Sequence, residues 1–240
     1  MDRRRGSPLK FRSLCRVSSL QSVVFDMDGV IIDSHPEHRK AWQKFLRVLG
    51  KEVSEAELDF ILDGRKRCDI LRYFLGDLSS EESAEFGRQK DEFFQQAVLE
   101  LTPLPGILDF LSSLEQQNVR LGVATSASAS RTHSTLERLQ LDQYFKAVVT
   151  GDDVQRGKPD PTIYRLVCSK LAVDPQSSIA VEDAVSGIRA AQAAGLKCIG
   201  VGRNYKQRQL RAAGAQEVIE DFIGFSPSNL QQIIRSQSFV

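Results

Sequence analysis

Two aspartates separated by one residue follow the first apolar run of the chain. Residues 23–25 read Val-Val-Phe, and Asp26 and Asp28 come directly after them. Such a run is typical of a buried strand, and carboxylates at positions i and i+2 beyond it project to one side. Gly29 permits a tight turn. One carboxylate could attack a phosphoryl group while the other transfers protons, although an isolated D-x-D is usually a solvated turn.

Further polar groups follow apolar runs or precede a helical pattern, namely Thr125-Ser126, Lys158 in Gly157-Lys158-Pro159, and Glu182-Asp183. The hydroxyls could donate to phosphate oxygens or cap the next helix. The ammonium could neutralise an aspartate and a transferring phosphate, or belong to an ordinary surface loop. The acidic pair offers the hard oxygen ligands that suit Mg²⁺, or matches a helix dipole.

Apolar runs alternate with helical patterns through most of the chain. The predicted strands are 23–25, 119–124, 147–149, 179–181 and 198–201, and the predicted helices are 107–114, 131–139, 162–171 and 184–194. Gly195 stands where a helix C-terminal glycine belongs. This alternation predicts an α/β fold with a parallel sheet covered on both faces. Because parallel strands end at one edge, the acids should meet there, and a divalent cation would offset their repulsion.

The segment 36–103 breaks this alternation, because it shows helical periodicity only. Apolar residues recur at helical spacing around Trp42 and around Leu71, and Ser79 with Glu82 predicts a capping box for a longer helix. Pro103 and Pro105-Gly106 close the segment. We therefore predict a core formed by 22–35 and 104–240, with a small helical cap at 36–103.

Composition excludes several classes of protein. The 240 residues are 41% hydrophobic and 26% charged with a net charge of +1, as expected for a globular protein with its own core. No apolar run reaches the length of a membrane span, and the balanced charge disfavours nucleic acid as a partner.

Residues 1–21 predict a basic flexible tail, or alternatively a transit peptide. The widely spaced cysteines predict reduced thiols and a cytoplasmic location, or an organelle if the tail directs import. A monomer is the default expectation.

Four motifs follow one another along the chain, namely Asp26-x-Asp28, Thr125-Ser126, Lys158 and Glu182-Asp183. This ordered set resembles that of the haloacid dehalogenase superfamily, and the resemblance covers about residues 22–205. The resemblance implies a Rossmann-like core with an inserted helical cap. It implies that Asp26 is the nucleophile and a Mg²⁺ ligand, and that Asp28 is the general acid and base, with its main-chain carbonyl also on the metal. Thr125 and Lys158 would hold the phosphoryl group. Asp183, supported by Glu182, would complete the metal site.

The sequence is most similar to the beta-phosphoglucomutase and sugar-phosphatase branch of that superfamily. The similarity lies in the stretch from Asp28 to Trp42 and in the loop Asp63-Gly64-Arg65-Lys66-Arg67. It implies that His38 and Arg67 contact the substrate or the acid–base aspartate, with Ser126 and Lys90 as further substrate-binding candidates. Each of these could instead be an ordinary packed or solvated side chain.

One departure from the mutase pattern guides the choice of function. The mutase carries Ser-Lys-Asn after its phosphate-binding residue to hold a second phosphate, and this chain has Ala127-Ser128-Ala129. We therefore predict a Mg²⁺-dependent phosphatase of a small phosphorylated metabolite such as a sugar phosphate. A phosphomutase and a non-catalytic ligand-binding protein are the alternatives. Acid–base work by Asp28 would favour a pKa above that of a free aspartate, which nearby carboxylates could supply.

Overall fold

The strands form one fully parallel sheet. The computed structural model describes residues 19–95 and 101–236. Its strands are β1 Ser22–Phe25, β2 Arg120–Ala124, β3 Ala147–Val149, β4 Ser178–Glu182, β5 Lys197–Val201 and β6 Glu217–Ile219. They lie in the order β3-β2-β1-β4-β5-β6. The predicted α/β fold with a Rossmann-like parallel sheet is confirmed, but the sequence pattern misses the three-residue edge strand β6.

Nine of the described helices lie in the connections between these strands, and the tenth follows β6. They are α1 His35–Val48, α2 Glu55–Ile61, α3 Arg67–Leu75, α4 Ser80–Gln95, α5 Ile107–Gln116, α6 Ala129–Arg138, α7 Thr162–Leu171, α8 Val185–Ala193, α9 Tyr205–Ala213 and α10 Pro227–Arg235. The prediction omits α2, although Ser54 and Glu57 form the same capping box that marks the start of α4. Across the described ranges, no helix has the length and apolar character needed to cross a membrane.

Strand β1 is buried on both faces, which explains its continuous apolar sequence. Val23 and Phe25 pack into the apolar cluster that includes Phe110 of α5, where the Phe25 and Phe110 rings meet edge to face. Val24 points to the opposite cluster, which contains Tyr164 of α7. Because β1 lies between β2 and β4, the residues that follow it reach the middle of the sheet edge.

Helices α1 to α4, residues 35–95, form what we call the helical segment. Its apolar side chains pack into a cluster of their own around Trp42, Phe45 and Leu71. The chain enters and leaves it through two adjacent stretches, because Asp33 N donates to Thr102 O and Leu104 N donates to Ile31 O. This pairing lies beside the predicted boundaries at 36 and 103. The division into core and cap stays a prediction.

The predicted tail falls mostly outside the described residues, since 1–18 are not among them. Gln21, the last residue of that predicted tail, directly precedes β1 and is hydrogen-bonded to the core. Its backbone N–H donates to Ser177 O, and its carbonyl accepts from Arg120 N. Within the described ranges, Cys68, Cys168 and Cys198 are free thiols, as the sequence predicts.

Candidate active site

Lys158 joins the ends of three neighbouring strands. Its Nζ lies 2.5 Å from Asp26 Oδ1, 2.5 Å from Glu182 Oε1 and 3.0 Å from the carbonyl oxygen of Ala124. Its side chain is fully buried. Burial lowers the pKa of Lys158, but Asp26 and Glu182 outweigh this effect and raise the pKa above its ordinary value. Lys158 is therefore a permanent cation beside the Asp26 carboxylate.

Asp26 is buried among an excess of acids. Burial raises its pKa, Lys158 opposes this, and Glu182, Asp183 and Asp28 add to the rise, so that the pKa lies well above the ordinary value. Among the described residues, these four acids contact three lysine or arginine side chains, Lys158, Arg131 and Lys206, so the acids outnumber these cations by one. This unbalanced negative charge suits a bound cation.

Glu182, which the sequence analysis predicts to be a metal ligand, accepts hydrogen bonds from protein groups. Its Oε1 accepts hydrogen bonds from Lys158 Nζ and from the Tyr164 hydroxyl, at 2.5 and 2.8 Å. Its Oε2 accepts from the backbone N–H groups of Asp183 and Ala184. These donors contact both oxygens of Glu182, and its role as a direct metal ligand stays a prediction. The side chain orients Lys158 and the turn that carries Asp183.

Asp183 lies against the turn that follows β1. Its Oδ2 accepts from Lys206 Nζ at 2.6 Å and pairs with His35 Nε2 at 3.0 Å. A Cβ at Gly29 would come within 2.6 Å of that oxygen, and Gly29 has φ +77°. Glycine is therefore required there for two reasons. Burial raises the pKa of Asp183, but Lys206 and His35 outweigh this and lower it to about 2.

The donor set fits a magnesium ion that the fold implies. Asp26 and Asp183 supply carboxylate oxygens, and the missing Cβ of Gly29 leaves room for Asp183 beside the backbone of Asp28. Such hard oxygens are the ligands that Mg²⁺ prefers. Within the described ranges, no group of three His, Cys, Asp or Glu side chains could hold a metal by itself. Apart from Glu182, the predicted ligands are the carboxylates of Asp26 and Asp183 and the main-chain carbonyl of Asp28, which is not a side-chain group.

Thr125 and Ser126 follow β2 at the same edge. Thr125 is buried, and its Oγ1 accepts from the backbone N–H of Ala127 at 3.2 Å, which orients the hydroxyl group. The Ser126 hydroxyl donates to the carbonyl of Gly64 in the helical segment, at 2.6 Å. Both residues line a cavity that Asp26 and Asp28 also line. In this arrangement Ser126 connects the sheet to the helical segment, and its substrate-binding role stays a prediction.

The surroundings of Asp28 contain a residue that the sequence reasoning misses. Arg131 NH1 and NH2 donate to the two carboxylate oxygens at 2.9 and 2.5 Å, while Ser34 Oγ donates to Oδ1 at 2.6 Å. Burial raises the pKa of Asp28, but Arg131 and His38 more than offset this and hold the pKa well below its usual range. The expected upward shift is therefore wrong. Arg131 lies shortly after Ala127-Ser128-Ala129, so the cation that this segment lacks comes from the first turn of α6.

His38 and Lys90 form a buried chain that leads to Asp28. Lys90 Nζ lies 3.2 Å from His38 Nδ1, and His38 Nε2 lies 3.2 Å from Asp28 Oδ1. Burial and the nearby Lys90 charge lower the pKa of His38 to about 3, so the ring is neutral at pH 7. Burial and Arg131 lower the pKa of Lys90 to about 8. A neutral ring satisfies both contacts if Nδ1 accepts from Lys90 and Nε2 donates to Asp28.

Arg67 lies across helix α4. Its guanidinium donates to Asp91 Oδ2 at 2.5 Å and to the carbonyl of Gly87 at 3.3 Å. A Cβ at Gly87 would stand 2.5 Å from Arg67 Nε, so the glycine makes room for this contact. The side chain is about one-third exposed and can therefore reach into the cavity.

One cavity of about 820 Å³ is lined by residues of the sheet edge and by residues of the helical segment. Its wall includes Asp26, Asp28, Thr125, Ser126, Arg131 and Asp183 from the sheet side, and His38, Arg67 and Lys90 from the helical segment. Its volume falls within the range of small-molecule sites. Lys158 and Glu182 lie behind this wall, in contact with Asp26 and Lys158 respectively.

Comparisons with known proteins define the class. The sequence matches the haloacid dehalogenase-like hydrolase family over residues 23–201. It is 34% identical to a phosphorylated carbohydrates phosphatase of Thermotoga maritima, over 75% of this chain and 84% of that protein. It is 31% identical to beta-phosphoglucomutase of Bacillus subtilis, over 77% and 84%. The structure of beta-phosphoglucomutase from Clostridium difficile superposes with a TM-score of 0.79, at 24% identity, over 90% of this chain and 97% of that one.

The chain therefore belongs to the haloacid dehalogenase-like hydrolases. Within them it falls in the branch of sugar phosphatases and beta-phosphoglucomutase, as predicted. The predicted enzyme class, a phosphoric monoester hydrolase of this family, is confirmed as well. The non-catalytic alternative has no support in this result.

Proposed function

We propose that this enzyme is a Mg²⁺-dependent phosphatase of a small phosphorylated metabolite and works through an aspartyl phosphate. The observation that carries the proposal is the buried contact between Lys158 and Asp26, together with Thr125, which lines the same cavity as Asp26. A cation, a hydroxyl and a carboxylate placed together can bind a phosphoryl group and attack it. Asp183, on the wall of that cavity, completes the arrangement.

The reaction follows from the places of the two aspartates. An oxygen of Asp26 attacks the phosphorus, and the bond from phosphorus to the substrate oxygen breaks. Asp28, once protonated, gives its proton to that leaving oxygen. In the second step Asp28 removes a proton from water, and the water oxygen attacks the phosphorus, which releases inorganic phosphate and restores Asp26. Lys158 balances the negative charge in both steps.

Asp26, Asp183 and the main-chain carbonyl of Asp28 would hold Mg²⁺, and the bound ion would offset charge on the phosphoryl oxygens. Glu182 acts through its contacts with Lys158 and with the backbone of Asp183. A cap formed by the helical segment would exclude bulk water during the first step.

The substrate class rests on the relatives and on the size of the cavity. The Thermotoga maritima relative is named as a phosphatase of phosphorylated carbohydrates. A sugar phosphate fits a cavity of about 820 Å³ whose lining includes arginine and lysine side chains. Cytoplasmic location, the monomeric state and the lack of nucleic-acid and membrane partners stay predictions.

A phosphomutase is the second candidate, and Arg131 is the observation that favours it. A mutase must hold a second phosphate while its intermediate turns over, and Arg131 places a cation near the segment that lacks the Ser-Lys-Asn of the mutase. Water attack needs no such site, so the phosphatase remains the first choice.

A panel of sugar phosphates separates the two. We expect phosphate release with Mg²⁺ from at least one sugar phosphate, loss of release in EDTA, recovery when Mg²⁺ is added back, and no release by Asp26→Asn. Conversion of glucose 1-phosphate to glucose 6-phosphate without phosphate release would favour the mutase. Equal rates for the wild type and Asp26→Asn would contradict both proposals.

A further inference from the structure

Lys206 pairs with the carboxylate of Asp183 from outside the cavity that holds the two aspartates of the first motif. Its Nζ donates to Asp183 Oδ2 at 2.6 Å. Lys206 lines a second cavity, of about 990 Å³, and among the described residues the two linings have His35, Leu62 and Asp183 in common. Lys206 itself is not part of the first lining. Its charge therefore reaches the candidate active site through Asp183.

The backbone around Lys206 makes room for this contact. Lys206 lies in the first turn of α9, shortly after the end of β5. A Cβ at Gly202 would lie 3.3 Å from Cγ and Cδ of Lys206, so the glycine leaves space for the lysine stem. The Lys206 side chain is 27% exposed, whereas that of Asp183 is 5% exposed. A partly solvated cation therefore ends on a buried carboxylate.

The Asp183 carboxylate can hold a metal ion and Lys206 at the same time. Lys206 and His35 both contact Oδ2, and within the described ranges no protein donor contacts Oδ1. Two cations on one buried carboxylate repel each other, and water screens this repulsion only weakly. Lys206 is also one of the three cations that contact the four acids, so without it the excess of acids rises from one to two. Both effects oppose the binding of a divalent cation.

We propose that Lys206 is a positioning residue that weakens the binding of Mg²⁺, because it shares the Asp183 carboxylate with the ion. Lys206 thereby sets the Mg²⁺ concentration at which the enzyme works. The coupling is reciprocal, so bound Mg²⁺ weakens the stabilising effect of the pair formed by Lys206 and Asp183 by the same factor. This inference rests on the proposed function, in which Asp183 is a Mg²⁺ ligand.

The test measures the Kd of Mg²⁺ by calorimetry, with the substrate-free full-length chain. Lys206→Gln removes the charge and keeps a hydrogen-bond donor, so the Kd should fall about tenfold. Lys206→Arg keeps the charge, and its Kd should stay close to that of the wild type. The Mg²⁺ concentration that gives half-maximal phosphate release should fall in Lys206→Gln by the same factor as the Kd.

Thermal unfolding separates this role from a structural one. In EDTA, Lys206→Gln should lower Tm, because Asp183 loses a cation that contacts it. Saturating Mg²⁺ should close most of that gap, since the ion binds the variant more tightly and stabilises it more. A purely structural role would lower Tm equally in EDTA and in Mg²⁺ and would leave the Kd unchanged, which would overturn the inference.

The matched control is Arg208→Gln, which removes one positive charge from an exposed position of the same helix and should change neither the Kd nor Tm. An equal or higher Kd in Lys206→Gln would overturn the inference. If the wild type binds no Mg²⁺ over the titrated range, binding should appear in Lys206→Gln, and its absence from both proteins would overturn the inference as well. The proposed function fails on a different result, namely phosphate release that continues undiminished in EDTA.

Discussion

The two sides of the cavity hold their charged groups in different ways. At the strand ends, Lys158 and Glu182 are fully buried and are fixed by contacts to one another and to backbone atoms. On the helical segment, Arg67 is partly exposed and lies on the surface of α4. Lys158 and Glu182 are therefore held in one position, whereas Arg67 is less constrained; His38 and Lys90, on the same helical segment as Arg67, are buried like the groups at the sheet edge.

The largest effect is expected at the nucleophile. Asp26→Asn should lower kcat for every substrate roughly 10⁴-fold or more, because the amide does not form the acyl phosphate. Its fold should persist, since an amide of similar size replaces a carboxylate that is already crowded by acids. Phosphate release and thermal unfolding measure the two effects. Residual activity within tenfold of the wild type would exclude Asp26 as the nucleophile.

Lys158 should affect stability as well as activity. Lys158→Met leaves Asp26 and Glu182 buried without their cation, which should lower the free energy of unfolding by about 3–5 kcal/mol. Phosphate release should disappear along with it. Urea unfolding gives the first quantity. The matched control is Lys170→Met, a half-exposed lysine that should change neither property. If Lys158→Met kept wild-type stability, the described role of its buried contacts would be wrong.

Arg67 should affect recognition without affecting stability. Arg67→Ala should lower kcat/KM for the best sugar phosphate about 10- to 100-fold and leave p-nitrophenyl phosphate nearly unchanged, because only the sugar extends toward the helical segment. Arg88→Ala, an exposed arginine on α4, serves as the control. An equal loss on both substrates would argue against recognition by Arg67.

The smallest effect is expected at Lys90 and depends on pH. Its pKa of about 8 lies below the ordinary lysine value, so burying the charge destabilises the folded state most at pH 7. This penalty declines as the pH rises from about 8 to the unfolded-state pKa. Lys90→Met should therefore raise the melting temperature by a few degrees at pH 7, and the difference should shrink towards pH 10.

The pH dependence of KM provides a second test of the Lys90 charge. In the wild type, KM for the sugar phosphate should rise above about pH 8, as Lys90 loses its charge. In Lys90→Met the same KM should be higher at pH 7 and should lack that step. Lys40→Met, an exposed lysine on α1, should behave like the wild type in both assays. A pH step that survived in Lys90→Met would assign it to another group.

Local sequence was sufficient to predict the strand-end arrangement. Apolar runs that stop abruptly at Asp26, Thr125 and Glu182 mark strand ends, and parallel strands necessarily bring such residues to one edge. The turn at Gly29 and the capping boxes of the helical segment are local signals of the same kind. Edge strand β6 was missed because Glu217 interrupts its apolar run, whereas the equally short β3 reads Ala-Val-Val. Helices α2, α9 and α10 were missed as well.

Only the tertiary structure decided which groups pair with one another. Glu182 contacts Lys158, and Arg131 reaches Asp28 across 103 positions of sequence. These pairings reversed the expected direction of the Asp28 pKa, because an arginine fork outweighs both burial and neighbouring carboxylates. The sequence pattern predicts at which end of a strand or helix each side chain lies. The energy of a charge depends on what lies within a few ångströms of it, and that is set by contacts between distant parts of the chain.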